Sequence, residues 1–190
     1  MVIAGPNGAG KTTAAPRLLH AGVGIDAFVN ADVIAKGLSG FSPDSAAFEA
    51  GRIMLRRLDE LAANGSDFAF ESTLAGLSVR ERLLKLIERG YAAHAFYLWL
   101  PSPEMAVERV RHRVKMGGHH VPETVIRRRF WRSLVNFDRV YRPMVTTWRL
   151  YDGSRFPERP LIAFGTASSG PNVAEHVTWS AVRRQVEEHS

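Results

Sequence analysis

The chain has 190 residues, a length typical of one domain, and hydrophobic residues make up 45% of it, enough to bury a core. It contains no cysteine, which excludes disulfide bonds and thiolate zinc sites, and its net charge of +6 favours acidic ligands. No apolar run is long enough to span a membrane and no signal peptide is visible, so we expect a cytoplasmic protein without membrane contact.

The first predicted elements are a short buried strand at residues 2–4, a glycine-rich segment and a helix at residues 13–20. The segment fits the phosphate-loop pattern G-x-x-x-x-G-K-[ST], in which backbone N–H groups and the start of the helix bind phosphate. The lysine can reach the β- and γ-phosphates, and the threonine hydroxyl can bind Mg²⁺. A glycine-rich turn without a ligand would give no reason for the Lys-Thr pair. The predicted nucleotide-binding residues are Gly5, Asn7, Gly8, Ala9, Gly10, Lys11, Thr12 and Thr13.

An acidic residue, Asp32, follows the next predicted strand. A turn at residues 21–24 leads to a short strand at residues 27–29, and Asp32 comes just after its end. In open α/β sheets, ligands bind at the edge where the strands end. Asp32 could therefore accept a proton from a substrate hydroxyl, or it could cap the helix that follows, and its position leaves both roles open.

The third strand also ends in polar residues. The motif Ser42-Pro43-Asp44 predicts the start of a helix that continues to about residue 63, and a strand follows at residues 68–70. Glu71 then stands where nucleotide-binding folds often place a metal-associated acid, although it could instead bond loop amides. Ser72 and Thr73 could bind substrate hydroxyls or stabilise the turn.

The rest of the chain alternates between helix and strand patterns. Strands are predicted at residues 91–100, 148–151 and 161–164, and helices at residues 78–89, 103–116, 123–141 and about 173–188. This alternation predicts one α/β domain over residues 1–190, with a parallel sheet, right-handed crossovers and helices on both faces. His94 is interpreted as a core histidine. Asp152 is the weakest acidic candidate, because Asp-Gly is also a common turn signal.

Arginines are concentrated in one region with few acids among them. The segment at about residues 103–142 is predicted to form a helical hairpin with a glycine hinge at Gly117-Gly118. This hairpin could close as a lid over the γ-phosphate. The alternative is a solvated basic helix face, but like charges three or four residues apart are unfavourable unless an anion joins them. His119 and His120 are interpreted as loop residues, not metal ligands. The arginines are Arg109, Arg111, Arg113, Arg127, Arg128, Arg129, Arg132, Arg139 and Arg142.

Six motifs together resemble the zeta-toxin-like P-loop kinases, over residues 2 to about 165. They are Gly-Pro-Asn-Gly-Ala-Gly-Lys-Thr-Thr (5–13), Asn-Ala-Asp-Val-Ile-Ala (30–35), Phe-Glu-Ser-Thr-Leu-Ala-Gly (70–76), Arg-Val-Lys-Met-Gly-Gly-His-His-Val-Pro (113–122), Ile-Arg-Arg-Arg-Phe-Trp-Arg-Ser (126–133) and Tyr-Asp-Gly-Ser (151–154). The resemblance implies a P-loop NTPase or kinase fold. Ser72, Phe130 and Gly153 depart from the pattern, where relatives often carry Thr, Tyr and Asn.

The resemblance also implies roles for particular residues. Asp32 would be the general base, Lys11 and Thr12 would hold ATP and Mg²⁺, and Glu71 would lie at the substrate and metal side. Arg113 and one or both of Arg128 and Arg129 would clamp the phosphates from the lid. The candidate substrate contacts are Asn30, Glu71, Ser72 and Thr73.

These observations favour an ATP- and Mg²⁺-dependent kinase that phosphorylates a hydroxyl of a small anionic metabolite. The founding toxins of the family phosphorylate UDP-N-acetylamino sugars, which makes a nucleotide sugar the leading acceptor class. One alternative is a nucleotide-binding ATPase or switch without such an acceptor. The other is a polynucleotide-end kinase, which the basic region would suit, but no interleaved aromatic residues support nucleic-acid binding. An antitoxin partner is possible for this family, and no residue indicates one.

Overall fold

The computed structural model describes residues 1–20, 24–38, 46–118 and 120–190. Most of the predicted turn at residues 21–24, the predicted helix start at Ser42-Pro43-Asp44 and the predicted loop residue His119 lie outside these ranges. No helix within the described ranges combines the length and the apolar character needed to cross a bilayer.

Seven strands form one sheet, and the first five are parallel. They are β1 (Val2–Ala4), β2 (Ala27–Val29), β3 (Phe68–Ser72), β4 (His94–Trp99), β5 (Thr147–Asp152), β6 (Leu161–Thr166) and β7 (Asn172–Val173). Their order across the sheet is β2-β3-β1-β4-β5-β6-β7, so the strand before the phosphate loop lies at the centre of the five parallel strands. Each parallel strand ends at the same edge, which places residues that follow β1, β2 and β3 close together.

Seven α-helices connect or flank these strands in the described residues. They are α1 (Lys11–His20), α2 (Ala31–Leu38), α3 (Ala47–Ala63), α4 (Ser78–Glu88), α5 (Pro103–Lys115), α6 (Glu123–Asn136) and α7 (His176–Glu188). A π-helical turn at Phe137–Tyr141 continues α6, so the helical segment predicted at residues 123–141 is confirmed in its extent.

The last strands correct the prediction of a fully parallel sheet. β6 is antiparallel to β5, and β7 is antiparallel to β6. The physical reason is the connection, because residues 153–160 are too few for the crossover of about a dozen residues that a parallel pair needs. The terminal helix was also predicted too long, since Asn172–Val173 pairs with β6 before α7 begins at His176.

Helices cover both faces of the sheet, as predicted. The largest group of buried apolar side chains includes Phe70, Tyr97 and Trp148 and receives α3, α4, α6 and α7. Two further groups form around α1 and α5, and one of them contains Ile3, whose neighbours Val2 and Ala4 belong to the first group. Alternate residues of β1 thus face opposite layers, and all three are buried. This burial fixes the strand from which the phosphate loop emerges.

Candidate active site

The phosphate loop has a backbone that only glycine adopts easily. Gly5, Gly8 and Gly10 have φ values of 139°, 78° and 82°, a region that is unfavourable for residues with a Cβ. A Cβ on Gly5 would overlap the carbonyl oxygen of Leu98, and one on Gly8 would lie 2.7 Å from the carbonyl oxygen of Ala106. The loop is therefore pressed against β4 and α5, which holds its curvature.

Lys11 is buried beneath this loop. Its ammonium group donates hydrogen bonds of 3.0 Å to the carbonyl oxygens of Gly5 and Pro6, and it lies 3.6 Å from Oε1 of Glu71. Burial lowers the pKa of Lys11, while the neighbouring Glu71 carboxylate acts in the opposite direction. The lysine is thus positioned to exchange these carbonyl contacts for phosphate oxygens.

Glu71 is held by side chains at the end of β3. Its Oε2 accepts hydrogen bonds from Thr12 Oγ1 at 2.8 Å and from Asn30 Nδ2 at 2.7 Å. Thr12 lies at the start of α1, Asn30 follows β2 and Glu71 lies near the end of β3, so their polar side chains meet at the ends of neighbouring elements. The partners of Glu71 among the described residues are thus side chains, not the loop amides considered as its alternative.

Asn30, not Asp32, caps α2. The side-chain oxygen of Asn30 accepts hydrogen bonds from the backbone N–H of Asp32 at 2.8 Å and of Val33 at 3.4 Å. Only 5% of Asn30 is exposed, and its side chain bonds to Glu71, Thr12 and the start of α2. Its contact with a substrate stays a prediction. Asp32 lies in the first turn of the helix, and its carboxylate is left to face the cavity described below.

Asp32 lies beside a lid arginine. Its Oδ2 is 3.6 Å from Nη1 of Arg113, and 45% of the Asp32 side chain is exposed. Both groups can therefore reach a ligand in the space between them.

The Ser72 and Thr73 hydroxyls accept hydrogen bonds from the backbone N–H of Leu74 at 3.0 Å and of Ala75 at 3.4 Å, which is the turn-stabilising alternative for both residues.

The lid arginines divide into those that face the phosphate loop and those that do not. Arg109, Arg113 and Arg129 line one cavity with the loop, whereas the exposed Arg128 lies outside this lining, and its contact with the nucleotide stays a prediction. Arg109 donates to the carbonyl oxygens of Gly153 and Ser154, at 2.7 and 2.8 Å. It thereby fastens α5 to the segment after β5.

Other arginines of the basic region pair within the lid. Arg127 contacts Glu123 at 2.9 Å and Glu104 at 2.5 Å, and Arg111 contacts Glu123 at 2.6 Å. These ion pairs join α5 to α6 and account for part of the charge that the sequence presents as a basic face. Exposed pairs of this kind contribute little stability, so their main effect is on orientation.

The glycine pair predicted as a hinge is a helix cap. The N–H of Gly118 donates to the carbonyl of Arg113 and the N–H of Gly117 to the carbonyl of Val114, both at 2.9 Å, and Gly117 has a φ of 79°. These are the two bonds of a Schellman motif at the end of α5. A Cβ on Gly118 would lie 2.5 Å from Cγ of Arg113, so the glycine leaves room for that arginine.

The end of β5 holds an acid noted in the sequence, and the segment after it adds a residue that sequence analysis missed. Asp152 is buried, and its Oδ1 accepts bonds from the backbone N–H of Ser154 at 2.8 Å and from its hydroxyl at 2.6 Å, which is the turn role expected of Asp-Gly. Arg159 reaches back toward the phosphate loop, with Nη2 3.5 Å from where a Cβ of Gly10 would be. No local pattern marks Arg159, because its position depends on the hairpin between β5 and β6.

A cavity of about 410 Å³ brings these parts together. Its lining combines the phosphate loop, the strand-end residues and the three lid arginines. The residues predicted from sequence that line it are Asn7, Gly8, Gly10, Lys11, Thr12, Thr13, Asn30, Asp32, Glu71, Ser72, Thr73, Arg113 and Arg129. Gly5 and Ala9 lie in the loop but do not line the cavity.

The donor atoms at the end of β3 fit Mg²⁺ better than softer metals. The Thr12 hydroxyl and the Glu71 carboxylate lie 2.8 Å apart, and Mg²⁺ prefers oxygen ligands, usually one or two from protein with the rest from phosphate and water. Within the described ranges, no three His, Asp or Glu side chains converge as a protein-only metal site would require. The arrangement therefore suits a metal that arrives with a nucleotide.

Comparison with known proteins gives a family and a fold. The sequence profile of a family described as "AAA domain" matches residues 1–132. A relative from Haemophilus influenzae, named only as an uncharacterized protein, is 29% identical over 126 residues, which are 66% of this chain and 88% of that protein.

Several solved structures share the architecture at low sequence identity. The AvrRxo1-ORF1:AvrRxo1-ORF2 structure with sulphate ions has a TM-score of 0.71 at 18% identity and covers 96% of this chain, which spans 63% of that one. The PezAT toxin-antitoxin system of Streptococcus pneumoniae has a TM-score of 0.62 at 15% identity, covering 99% of this chain and 86% of that one. Deoxyadenosine kinase from M. mycoides with bound dATP has a TM-score of 0.50 at 16% identity, covering 83% and 94%.

At such identities these likenesses speak for the fold. They confirm the P-loop NTPase or kinase fold that the six motifs predict. The family profile covers more than half of the chain, and it includes the phosphate loop, the strand-end acids and most of the lid. The chain therefore belongs to the AAA-domain family.

Proposed function

We propose that this protein is a kinase that transfers the γ-phosphate of ATP to a hydroxyl of a small, anionic metabolite. The observation that carries the proposal is the shared cavity of about 410 Å³, in which Lys11, Asp32 and Arg113 meet. A phosphate loop alone would suit any nucleotide-binding module. A carboxylate and a lid arginine across from it provide what transfer to an acceptor needs in addition.

The proposed transfer assigns one task to each residue. Lys11 moves from the carbonyls of Gly5 and Pro6 to the β- and γ-phosphates, and Arg113 and Arg129 neutralise the charge that spreads over the transferred group. Asp32 takes the proton of the acceptor hydroxyl. The hydroxyl oxygen bonds to the γ-phosphorus as the bond from that phosphorus to the bridging oxygen breaks, leaving ADP.

Thr12 and Glu71 would hold Mg²⁺, which would supply charge neutralisation at the phosphates when bound. Asn30 supports this pair from beneath through its bonds to both side chains, at 3.3 Å to Thr12 and 2.7 Å to Glu71. Its burial keeps that support in place. The nucleotide would be ATP, as in the kinases whose motifs this chain resembles.

Asp32→Asn tests the base. We expect the rate of phosphoryl transfer to fall at least about a hundredfold, because general bases typically contribute 10²–10⁴-fold, while ATP affinity changes little. The measurement is ADP formation with and without UDP-N-acetylglucosamine and related nucleotide sugars, with ³¹P NMR to identify the product. Asp26→Asn, at an exposed position outside the cavity, is the matched control. Transfer at near the wild-type rate in Asp32→Asn would show that Asp32 is not the base.

A further inference from the structure

A second cavity, of about 390 Å³, opens beside the candidate active site. It lies between α3 and the start of α4, and Glu71 and Ser72 line both this cavity and the one that holds the phosphate loop. The two cavities therefore meet at the end of β3. A molecule with its hydroxyl near Asp32 could extend past Glu71 into this second space, which we call the α3–α4 cavity.

The α3–α4 cavity is apolar, unlike the charged site beside it. Leu58 and Phe70, each 1% exposed, form its buried lining. Phe48 and Leu55 lie on the same face of α3 at its opening, and they are 81% and 44% exposed. Two large apolar side chains left in water beside a buried apolar surface are typical of a site that an apolar ligand covers.

Gly51 keeps this cavity open. It lies inside α3, where glycine is unfavourable relative to alanine, and its φ is not in the left-handed region that would require glycine. A Cβ built on Gly51 would meet no atom within 4 Å, and the residue lines the cavity. The helix therefore gives up stability at a position where any side chain would project into open space.

The charge at the cavity opening is positive. Arg52 and Arg82 both line the cavity; Arg82 is paired with Asp59, whereas Arg52 has no acidic partner among the described residues. Arg52 is exposed and adjoins Gly51 in the helix. One anionic group could therefore be met by Arg52 while the apolar part of the same molecule lies against Phe48 and Leu55.

We propose that the α3–α4 cavity binds an aryl or alkyl arm of the phosphate acceptor, so that the acceptor is an amphiphilic alcohol and not a wholly polar sugar. This inference rests on the proposed kinase function. It assigns Phe48, Gly51 and Leu55 to acceptor specificity, and it separates them from the residues of the transfer step.

Binding can be tested without turnover, using 1-anilinonaphthalene-8-sulfonate (ANS), which carries both an aryl group and an anion. Wild-type protein should bind ANS saturably, and the methyl resonance of Met54, a residue that lines the cavity, should shift in ¹³C-methionine-labelled protein. The resonance of the exposed Met116 should not move. Absence of saturable binding, or shifts that omit Met54, would overturn the proposal.

Gly51→Leu should fill the cavity and at the same time favour the helix. We expect ANS affinity to fall at least tenfold while the melting temperature stays at or above that of wild type. Gly37→Leu is the matched control, because Gly37 is also helical with no atom within 4 Å of its Cβ position, and it does not line this cavity. Leu55→Glu, with the exposed Val177→Glu as its control, covers the case in which Gly51→Leu does not fold.

Transfer assays then separate this proposal from the kinase function itself. With ATP, phenyl β-D-glucuronide should be phosphorylated with a kcat/KM at least tenfold above that of methyl β-D-glucuronide, and Gly51→Leu should remove the difference. If Asp32-dependent transfer occurs but these acceptors do not differ and Gly51→Leu changes nothing, the apolar arm is wrong and the kinase stands. If no acceptor of any class is phosphorylated, the kinase function fails, and the role in acceptor binding fails with it.

Discussion

The proposed donor side and the proposed acceptor side of the candidate site are built in different ways. The donor side is one contiguous segment, in which Lys11 bonds to the carbonyls of Gly5 and Pro6. The acceptor side is assembled from three elements, with Phe48 and Leu55 on α3, Glu71 on β3 and the start of α4. Contacts within a short segment are encoded locally, whereas an assembled cavity depends on the whole fold. This difference explains why the donor can be named from sequence and the acceptor only by class.

The largest expected effect is at Lys11, on the donor side. Lys11→Met should reduce phosphoryl transfer by about a hundredfold to a thousandfold, the usual loss when one preorganised donor to a developing charge is removed. Its melting temperature should change little, because relief of the burial that lowers the pKa of Lys11 offsets the loss of its bonds to Gly5 and Pro6. Initial rates and thermal unfolding measure the two effects.

Lys36→Met, at an exposed position on α2, is the control for removing a positive charge. If Lys11→Met loses stability together with activity, the phosphate loop has lost its shape. The rate would then no longer report a phosphate contact, and the contrast between a local donor side and an assembled acceptor side would be weakened.

A smaller effect is expected at Gly118, which leaves room for Arg113, one of the arginines that line the cavity. Gly118→Ala would bring a Cβ to 2.5 Å from Cγ and 2.8 Å from the carbonyl oxygen of Arg113, so Arg113 must shift. We expect kcat to fall about tenfold with little change in the KM for ATP, since misplacement of a positioning group by 1 Å can cost up to a hundredfold.

The control for Gly118 is Gly170→Ala, where a Cβ would meet no atom within 4 Å. A double-mutant cycle identifies the route of the effect. In an Arg113→Ala background, Gly118→Ala should cause no further loss of kcat. An equal loss in both backgrounds would mean that the glycine acts on the fold of the lid and not through Arg113.

Sequence analysis predicted the features that depend on local pattern. The phosphate loop, the strands that precede Asp32 and Glu71, and the helices over both faces of the sheet follow from spacing and residue type. It did not predict the antiparallel β6, because connection length, not strand composition, decides that direction. It also could not show that Asn30 caps α2, since Asn30 and Asp32 are both good caps.

Residues whose roles depend on distant partners were the hardest to predict. Nothing near Gly118 in the sequence shows that it makes room for Arg113, and nothing near Gly51 shows that it faces open space beside Phe70. Arg128 and Arg129 are adjacent in sequence and both were predicted to contact phosphates, and only the orientation of α6 shows that Arg129 is the one that lines the cavity. Helix packing, and not the local sequence, thus decides which of two neighbouring residues faces the cavity.

The smallest expected effect is at His94, which lies at the opposite end of β4 from the site. Its replacement should affect neither the donor side nor the acceptor side. His94 bonds to Thr147 Oγ1 at 2.8 Å, and burial, followed by the Met1 amino group and Arg149, lowers the pKa of His94 below its ordinary value of 6.5. The unfolded chain therefore binds this proton first as pH falls. The stability contributed by neutral His94 is complete above pH 6.5 and is lost as pH falls through the folded pKa.

His94→Asn should make the melting temperature less dependent on pH between 8 and 5.5, by no more than about 4 °C in a domain of this size. The exposed His176→Asn is the control for replacing a histidine, and phosphoryl transfer at pH 8 should be the same in all three proteins. A fall in transfer in His94→Asn would show that the acceptor side extends along β4 beyond the edge where Asp32 and Glu71 lie.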